Sequence, residues 1–228
     1  MESYIEPLWI SCKTVLVTTV ITFFIGIAAA RWMARYTGKG KSIIDGIFIL
    51  PLVLPPTVVG FGLLLLFGKN GPLGEFFNWL GTTIIFSWPA TVIAAVVMTF
   101  PLMYMSARAG FEQVDVNIEN AARTLGASEW RIFWTVTMPV AWPSVVAATV
   151  LTFARALGEF GATLMIAGNI PGKTATIPVA IYFDIQAGHN DRAAILVAIV
   201  LAISFASLAL LAYWKRKMPR TTSFVLTE

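Results

Sequence analysis

From Phe76 to Ala107 the chain carries no Asp, Glu, Lys or Arg. A helix at the surface of a soluble protein buries one apolar stripe and offers its other faces to water, so a charge-free stretch of this length has no face for an aqueous solvent. A membrane-spanning helix needs about 20 mostly apolar residues to cross roughly 30 Å of hydrocarbon. Five segments meet that need, at about 11–32, 44–67, 84–106, 138–166 and 193–214. The third is set late in its run because Asn78, Gly81, Thr82 and Thr83 suit an interface. In hydrocarbon every backbone hydrogen bond must be made within the segment, so all five are expected to be helical. The expected fold class is an all-α polytopic integral membrane protein with residues 1–228 as one domain.

Composition agrees, with 57% hydrophobic and 12% charged residues against about 25% charged in an average soluble domain. A single Cys12 excludes an internal disulfide framework, and Cys12 with a single His189 leaves too few soft ligands for a zinc site. The net charge of +4 does not point to nucleic acid, because the basic residues stand in blocks between the apolar runs. Arg31, Arg35, Lys39 and Lys41 form one block, Arg108, Arg123 and Arg131 a second, and Lys215, Arg216, Lys217 and Arg220 a third. Five crossings put these blocks on one side, expected to be the cytoplasm, with the N-terminus outside. The first run is expected to be retained, since Glu2 and Glu6 stand where a cleaved leader is basic.

The second span contains Pro51, Pro55 and Pro56, and proline inside a helix deletes a hydrogen bond and clashes with the preceding turn. This span should be broken or kinked, either for packing or because a translocation path needs freed backbone groups at membrane depth. The segment from Thr176 to Ile185 is apolar but too short to cross and holds Pro178 and Asp184, so it reads as an outer-face or re-entrant piece. Arg155 and Glu159 are the only charges in the fourth run. At i, i+4 they share a helical face and can pair with one another. If the helix enters near Thr137, Arg155 lies roughly 27 Å along it, towards the outer half. The pair either neutralises itself while fixing helix packing, or Arg155 attracts a divalent oxyanion with Glu159 holding it in place.

The loop at about 108–137 is amphipathic. Ile118 to Leu125 is a short helix candidate, Gly126 follows where a left-handed cap is wanted, and Ser128 can cap a second helix with Glu129 in its first turn. Pro139 marks the return to the membrane. Small residues beside a glycine turn let another backbone approach closely, as a docking knob needs; an interfacial helix covering the bundle would share the pattern.

Asn120 to Pro139, NAARTLGASEWRIFWTVTMP, resembles the EAA loop of permease subunits from binding-protein-dependent ABC importers, at Ala121, Ala122, Gly126, Val136, Met138 and Pro139. The chain departs from that pattern at the glutamate, where it has Asn120, with Glu119 just before. GKSIIDGIFILPLVLPPTVVGFG, from Gly40, and FARALGEFGATLMIAGNIPGKTATIP, from Phe153, resemble the molybdate branch of this family. The sulfate permeases are close relatives, so sulfate, thiosulfate and tungstate stay as alternative substrates. The resemblance implies a second copy of the chain around a central path, two ABC ATPase subunits on the cytoplasmic loops and an external oxyanion-binding protein, all in the lipid bilayer. It implies no cofactor on this chain, ATP and Mg belonging to the ATPase subunits, and hence no enzyme activity here. It carries ATPase docking onto Glu119, Asn120, Ala121, Ala122 and Gly126. Pro55, Pro56, Arg155 and Glu159 are the candidates for the path.

AGNIPGKT, Ala167 to Thr174, satisfies a relaxed phosphate-loop pattern, but it follows an apolar span instead of a buried strand and runs into Pro178. It reads as a surface turn. A membrane enzyme would need convergent acid, base or nucleophile groups, and only Arg155 with Glu159 is on offer. An ATP-independent channel or scaffold would leave the Ala121 to Gly126 segment without a task.

Overall fold

The computed structural model describes residues 2–217, so Arg220 of the third basic block lies outside the described residues. Helix α1 (Glu2–Arg35) is followed by α2 (Lys41–Val53), α3 (Pro56–Phe67), α4 (Pro72–Trp79), α5 (Trp88–Glu112), α6 (Val116–Thr124) and α7 (Glu129–Ile132). A π-helical turn (Phe133–Thr137), α8 (Met138–Leu157), α9 (Gly161–Ala167), α10 (Ile177–Gln186) and α11 (Asn190–Lys217) complete it. Among the described residues four spans are long and apolar enough to cross a membrane: Tyr4–Arg35, Trp88–Glu112, Glu129–Leu157 and Asn190–Trp214. The pair α2 and α3 makes five if counted as one broken span.

Helix α5 is the centre of the bundle. Its Ala90, Ala94, Ala95, Met103, Tyr104 and Ala107 are all buried, and the alanines among them let neighbouring backbones approach where lipid offers no hydrophobic drive. Met103, Tyr104 and Ala107 form a cluster with Ala30 and Met33 of α1 and Ala141, Val145 and Ala148 of α8. Between α1 and α5 the contact is partly polar, with the Thr14 and Thr91 hydroxyls 3.1 Å apart and the Trp88 indole N–H donating to Thr14 at 3.0 Å. Trp88 therefore turns into the bundle, with Lys13 Nζ 3.9 Å above its ring.

The second span breaks where the prolines stand, and its halves are bent by 111°. A residue before proline is driven out of the helical region. Leu54 and Pro55, each followed by proline, have ψ of 145° and 137°, and Pro56 then opens α3, where its missing N–H costs nothing. The bent pair still runs from one end of α5 to the other. Ile44 and Phe48 pack by Tyr104 and Ala107, whereas Leu63 packs with Ala90 and Ala94 and Phe67 lies by Ile84 and Ile85.

The fourth span departs from its expected 138–166. Its helix begins earlier, at Glu129, and ends at Leu157, with α9 a separate piece. Pro139 does not restart the chain. It has no N–H to give Thr135 and its ring crowds that carbonyl, and the helix widens just ahead of it, with Met138 N–H bonding to Phe133 O. The third span opens at Trp88, and Asn78 to Thr83 lie in the end of α4 and the turn after it. Helix α10 is too short to cross and packs on α11 and α1, with Ile177 N–H donating to Ser11 Oγ at 2.7 Å.

Candidate functional site

Two places bring the candidate residues together, the loop between α5 and α8 and the junction of the two broken spans. In the loop, the Asp115 carboxylate accepts the Asn117 N–H at 2.8 Å and starts α6. Gly126 ends it at φ +79°, a conformation that favours glycine, and Ala127 N–H closes on Ala122 O at 3.1 Å. Ser128 Oγ then accepts Arg131 N–H at 3.3 Å and starts α7. The resulting helix, turn and helix present Leu125, 87% exposed, at their tip, with Asn120, Ala121 and Gly126 exposed beside it and Ala122 half-buried.

Glu119 faces the other way. It is buried, and its carboxylate accepts from the Thr137 hydroxyl at 2.6 Å and from Arg35 Nη2 at 2.8 Å, with Arg31 and Arg123 each at 3.4 Å. Burial pushes this carboxyl up, but the Thr137 hydroxyl and the Arg35 and Arg31 guanidiniums more than offset it, so it lies below the ordinary glutamate value. Arg35 also pairs with Glu129, and Arg123 Nε pairs with Glu129 at 2.6 Å. Asn120, at the family's glutamate position, accepts from Arg123 Nη1 at 2.6 Å. Of the expected docking residues, Glu119 is thus the one whose side chain ties the loop to α1 and α8. Its partners were not legible from spacing, because Arg31, Arg35 and Thr137 stand in other elements.

At the second place, Arg155 Nη1 lies 2.9 Å from Glu159 Oε2, so the i, i+4 pair forms across the end of α8. Glu159 is almost wholly buried and Arg155 about one-third exposed. Glu159 does more than pair, since its Oε1 accepts Ala162 N–H at 3.0 Å and so caps α9. The two breaks meet: a methyl added at Gly161 would stand 2.9 Å from Pro56 Cβ. One added at Gly60 would stand 2.8 Å from Ala162 Cα, so only glycine lets α3 lie this close to α9. Pro56, Arg155 and Glu159 therefore share one region where two helices are interrupted.

The AGNIPGKT stretch is a turn whose amides are spent on itself. Ile170 O accepts from Lys173, Thr174 and Ala175, and Thr174 Oγ1 accepts Ile170 N–H at 2.9 Å. Among the described residues no group of three or more His, Cys, Asp or Glu side chains could hold a metal ion.

An apolar bundle with two interrupted spans and an exposed, ion-paired loop is the architecture of a membrane protein, and the comparisons give its class as a component of a transport system. The chain belongs to the family described as binding-protein-dependent transport system inner membrane component, which matches residues 22–219. It is 45% identical over 221 residues to the molybdenum transport system permease protein ModB of Escherichia coli (strain K12), covering 94% of this chain and 96% of that one. It is 43% identical over 198 residues to the ModB protein of Haemophilus influenzae, covering 86% of each. In fold it matches a chain of a bacterial ABC transporter involved in the import of the acidic polysaccharide alginate, with a TM-score of 0.79 over 96% of this chain and 81% of that chain at 15% identity.

Proposed function

We infer that the chain is the membrane-spanning permease subunit of an ATP-driven molybdate importer. The observation that carries this reading is the ion-paired, exposed loop of a chain whose relatives over more than nine-tenths of its length include a molybdenum permease. In the proposed assembly two copies surround a central path, and two ATPase subunits receive the loops through Asn120, Ala121, Ala122, Leu125 and Gly126. An external binding protein delivers the oxyanion to the opposite end. ATP and Mg act on the ATPase subunits, and this chain supplies the path and the docking surface.

The proposed orientation places the loop in the cytoplasm and the N-terminus outside. It is supported by Arg31 and Arg35 gathering with Arg123 on Glu119, and by Arg108 on Asp45, at one end of the bundle. Closure of the ATPases would move α6, and the Glu119 ties would pass that motion to α1 and α8. This is alternating access as a shift between two populated states. For the path we propose the junction of Pro55, Pro56, Arg155 and Glu159. Backbone groups freed by the two breaks, with the partly exposed Arg155, lower the cost of a divalent oxyanion at membrane depth.

The test is accumulation of labelled molybdate by cells lacking their own high-affinity uptake and supplied with this chain, its ATPase and its binding protein. Uptake that resists excess sulfate supports the reading. Uptake abolished by sulfate or thiosulfate reassigns the substrate, and competition by tungstate alone is expected for an ion of nearly the same size and charge. Uptake without ATP would replace the importer by a channel.

A further inference from the structure

The loop end of α1 carries a second feature beside the Glu119 ties. Phe24, Ile27 and Ala28 of α1 and Phe133 of the π turn line an apolar groove of about 380 Å³, together with Arg31 and Arg35, the Arg35-paired Glu129 and Trp130. The charges there do not balance. The cluster holds three guanidiniums, Arg31, Arg35 and Arg123, against two carboxylates, Glu119 and Glu129. Arg31 has the weakest carboxylate contact of its set, a single 3.4 Å approach to Glu119 Oε1, an oxygen already bonded by Thr137, and its guanidinium lies 5.0 Å over the Phe133 ring.

The apolar approach to this end is also laid out. Leu16, Val20 and Phe24 repeat at helical spacing on α1 and are 59%, 56% and 66% exposed, a face that only hydrocarbon would wet. From Val20 to Arg31 is roughly 16 Å along the axis, about the depth of one leaflet. Trp130, 70% exposed, stands where an indole at the headgroup level would.

We propose that this groove binds one anionic phospholipid of the cytoplasmic leaflet. Its acyl chain lies along Phe24, Ile27 and Ala28, and its phosphate meets Arg31 and Arg35 and supplies the missing negative charge. The leaflet rests on the orientation proposed above; the site itself does not.

The assay is native mass spectrometry of the assembled transporter, released from nanodiscs, titrated with dioleoyl phosphatidylglycerol or dioleoyl phosphatidylcholine. Both leaflets of a nanodisc are alike, so the result is independent of orientation, which labelling of a cysteine placed at Leu125 in a Cys12→Ser background reads separately in cells. One saturable phosphatidylglycerol per permease copy is expected, bound more tightly than phosphatidylcholine. Arg31→Gln should weaken phosphatidylglycerol by about fivefold, the worth of one basic residue near an anionic headgroup, and leave phosphatidylcholine unchanged. Arg31→Lys should retain most of the preference, and Ala28→Trp should reduce both lipids by filling the groove. Equal binding of the two lipids, or a preference that survives Arg31→Gln, overturns the proposal. Displacement of the lipid by millimolar inorganic phosphate, with Ala28→Trp without effect, would make it a free-anion site and also overturn it, as would disulfide cross-linking of two copies through Ala28→Cys.

Discussion

Replacing Glu119 with alanine should release the loop between α5 and α8 from the bundle. The carboxylate removed is about nine-tenths buried and holds two short charge-assisted hydrogen bonds, from Thr137 at 2.6 Å and Arg35 at 2.8 Å, with Arg31 and Arg123 at 3.4 Å. Losing one partner of a fully buried pair costs about 3–5 kcal/mol, but Arg31, Arg35 and Arg123 are 18–36% exposed and water recovers part of that. A loss of about 2–3 kcal/mol remains, or roughly 30- to 150-fold in the equilibrium for loop detachment. Hydrogen–deuterium exchange of the assembled transporter should show that acceleration in residues 116–132, while exchange in the interior of α5 stays unchanged. Substrate-stimulated ATP hydrolysis should fall in parallel, and Glu119→Gln, which keeps an acceptor for Thr137, should fall between. If loop exchange in Glu119→Ala matches the parent, the carboxylate does not hold the loop and the route from α6 to α1 is wrong.

The same tie has a pH signature. The folded Glu119 pKa is below its ordinary value, so its contribution is complete above the unfolded glutamate range near about 4.3 and is lost as pH falls through the lower folded value. Loop protection, corrected for intrinsic exchange, should therefore be flat from about pH 8 to 5.5 and collapse only in stronger acid; a midpoint near neutrality would contradict it. Gly126→Val puts a β-branched side chain at φ +79° and should cost about 1–2 kcal/mol. It should weaken ATPase co-purification without changing membrane insertion, and Gly126→Asn should be milder. Gly60→Leu drives a side chain into Ala162 and Met165 and should cost about 1–3 kcal/mol or more, read as a lower Tm of the purified complex; an unchanged Tm would refute the close contact of α3 with α9.

The loop was the most legible part of the sequence because local chemistry specifies it. Gly126 needs a left-handed conformation and Ser128 sits where a cap is wanted, and both took those roles. The break at Pro55 and Pro56 was legible for the same reason, since proline acts on its own backbone and the residue before it. What apolar periodicity could not give was the end of the fourth span. Residues 138–166 read as one run because every side chain but Arg155 and Glu159 suits hydrocarbon, yet the helix stops at Leu157. The break depends on Glu159 turning back to cap Ala162 and on α3 pressing against Gly161, contacts that only the folded bundle makes. The surroundings of Glu119 were illegible for a related reason. The resemblance placed it among residues offered to a partner, and only the arrival of Arg31, Arg35 and Thr137 from two other elements turns it inward.

Glu119 and Glu159 solve one problem at the two ends of the same span. A carboxylate is costly near hydrocarbon unless it is paired and hydrogen-bonded, and each of these has guanidinium partners and a further donor, the Thr137 hydroxyl for Glu119 and the Ala162 amide for Glu159. Each also sits where the helix from Glu129 to Leu157 departs from ideal geometry, Glu119 against the π turn through Thr137 and Glu159 at the break after α8. The segment thus has ion pairs at both irregular ends and packs on α5 through Ala141, Val145 and Ala148 between them. In the proposed assembly, displacement of α6 at the loop would reach the junction of the broken helices through this segment, as coupling of ATPase subunits to a path at membrane depth requires.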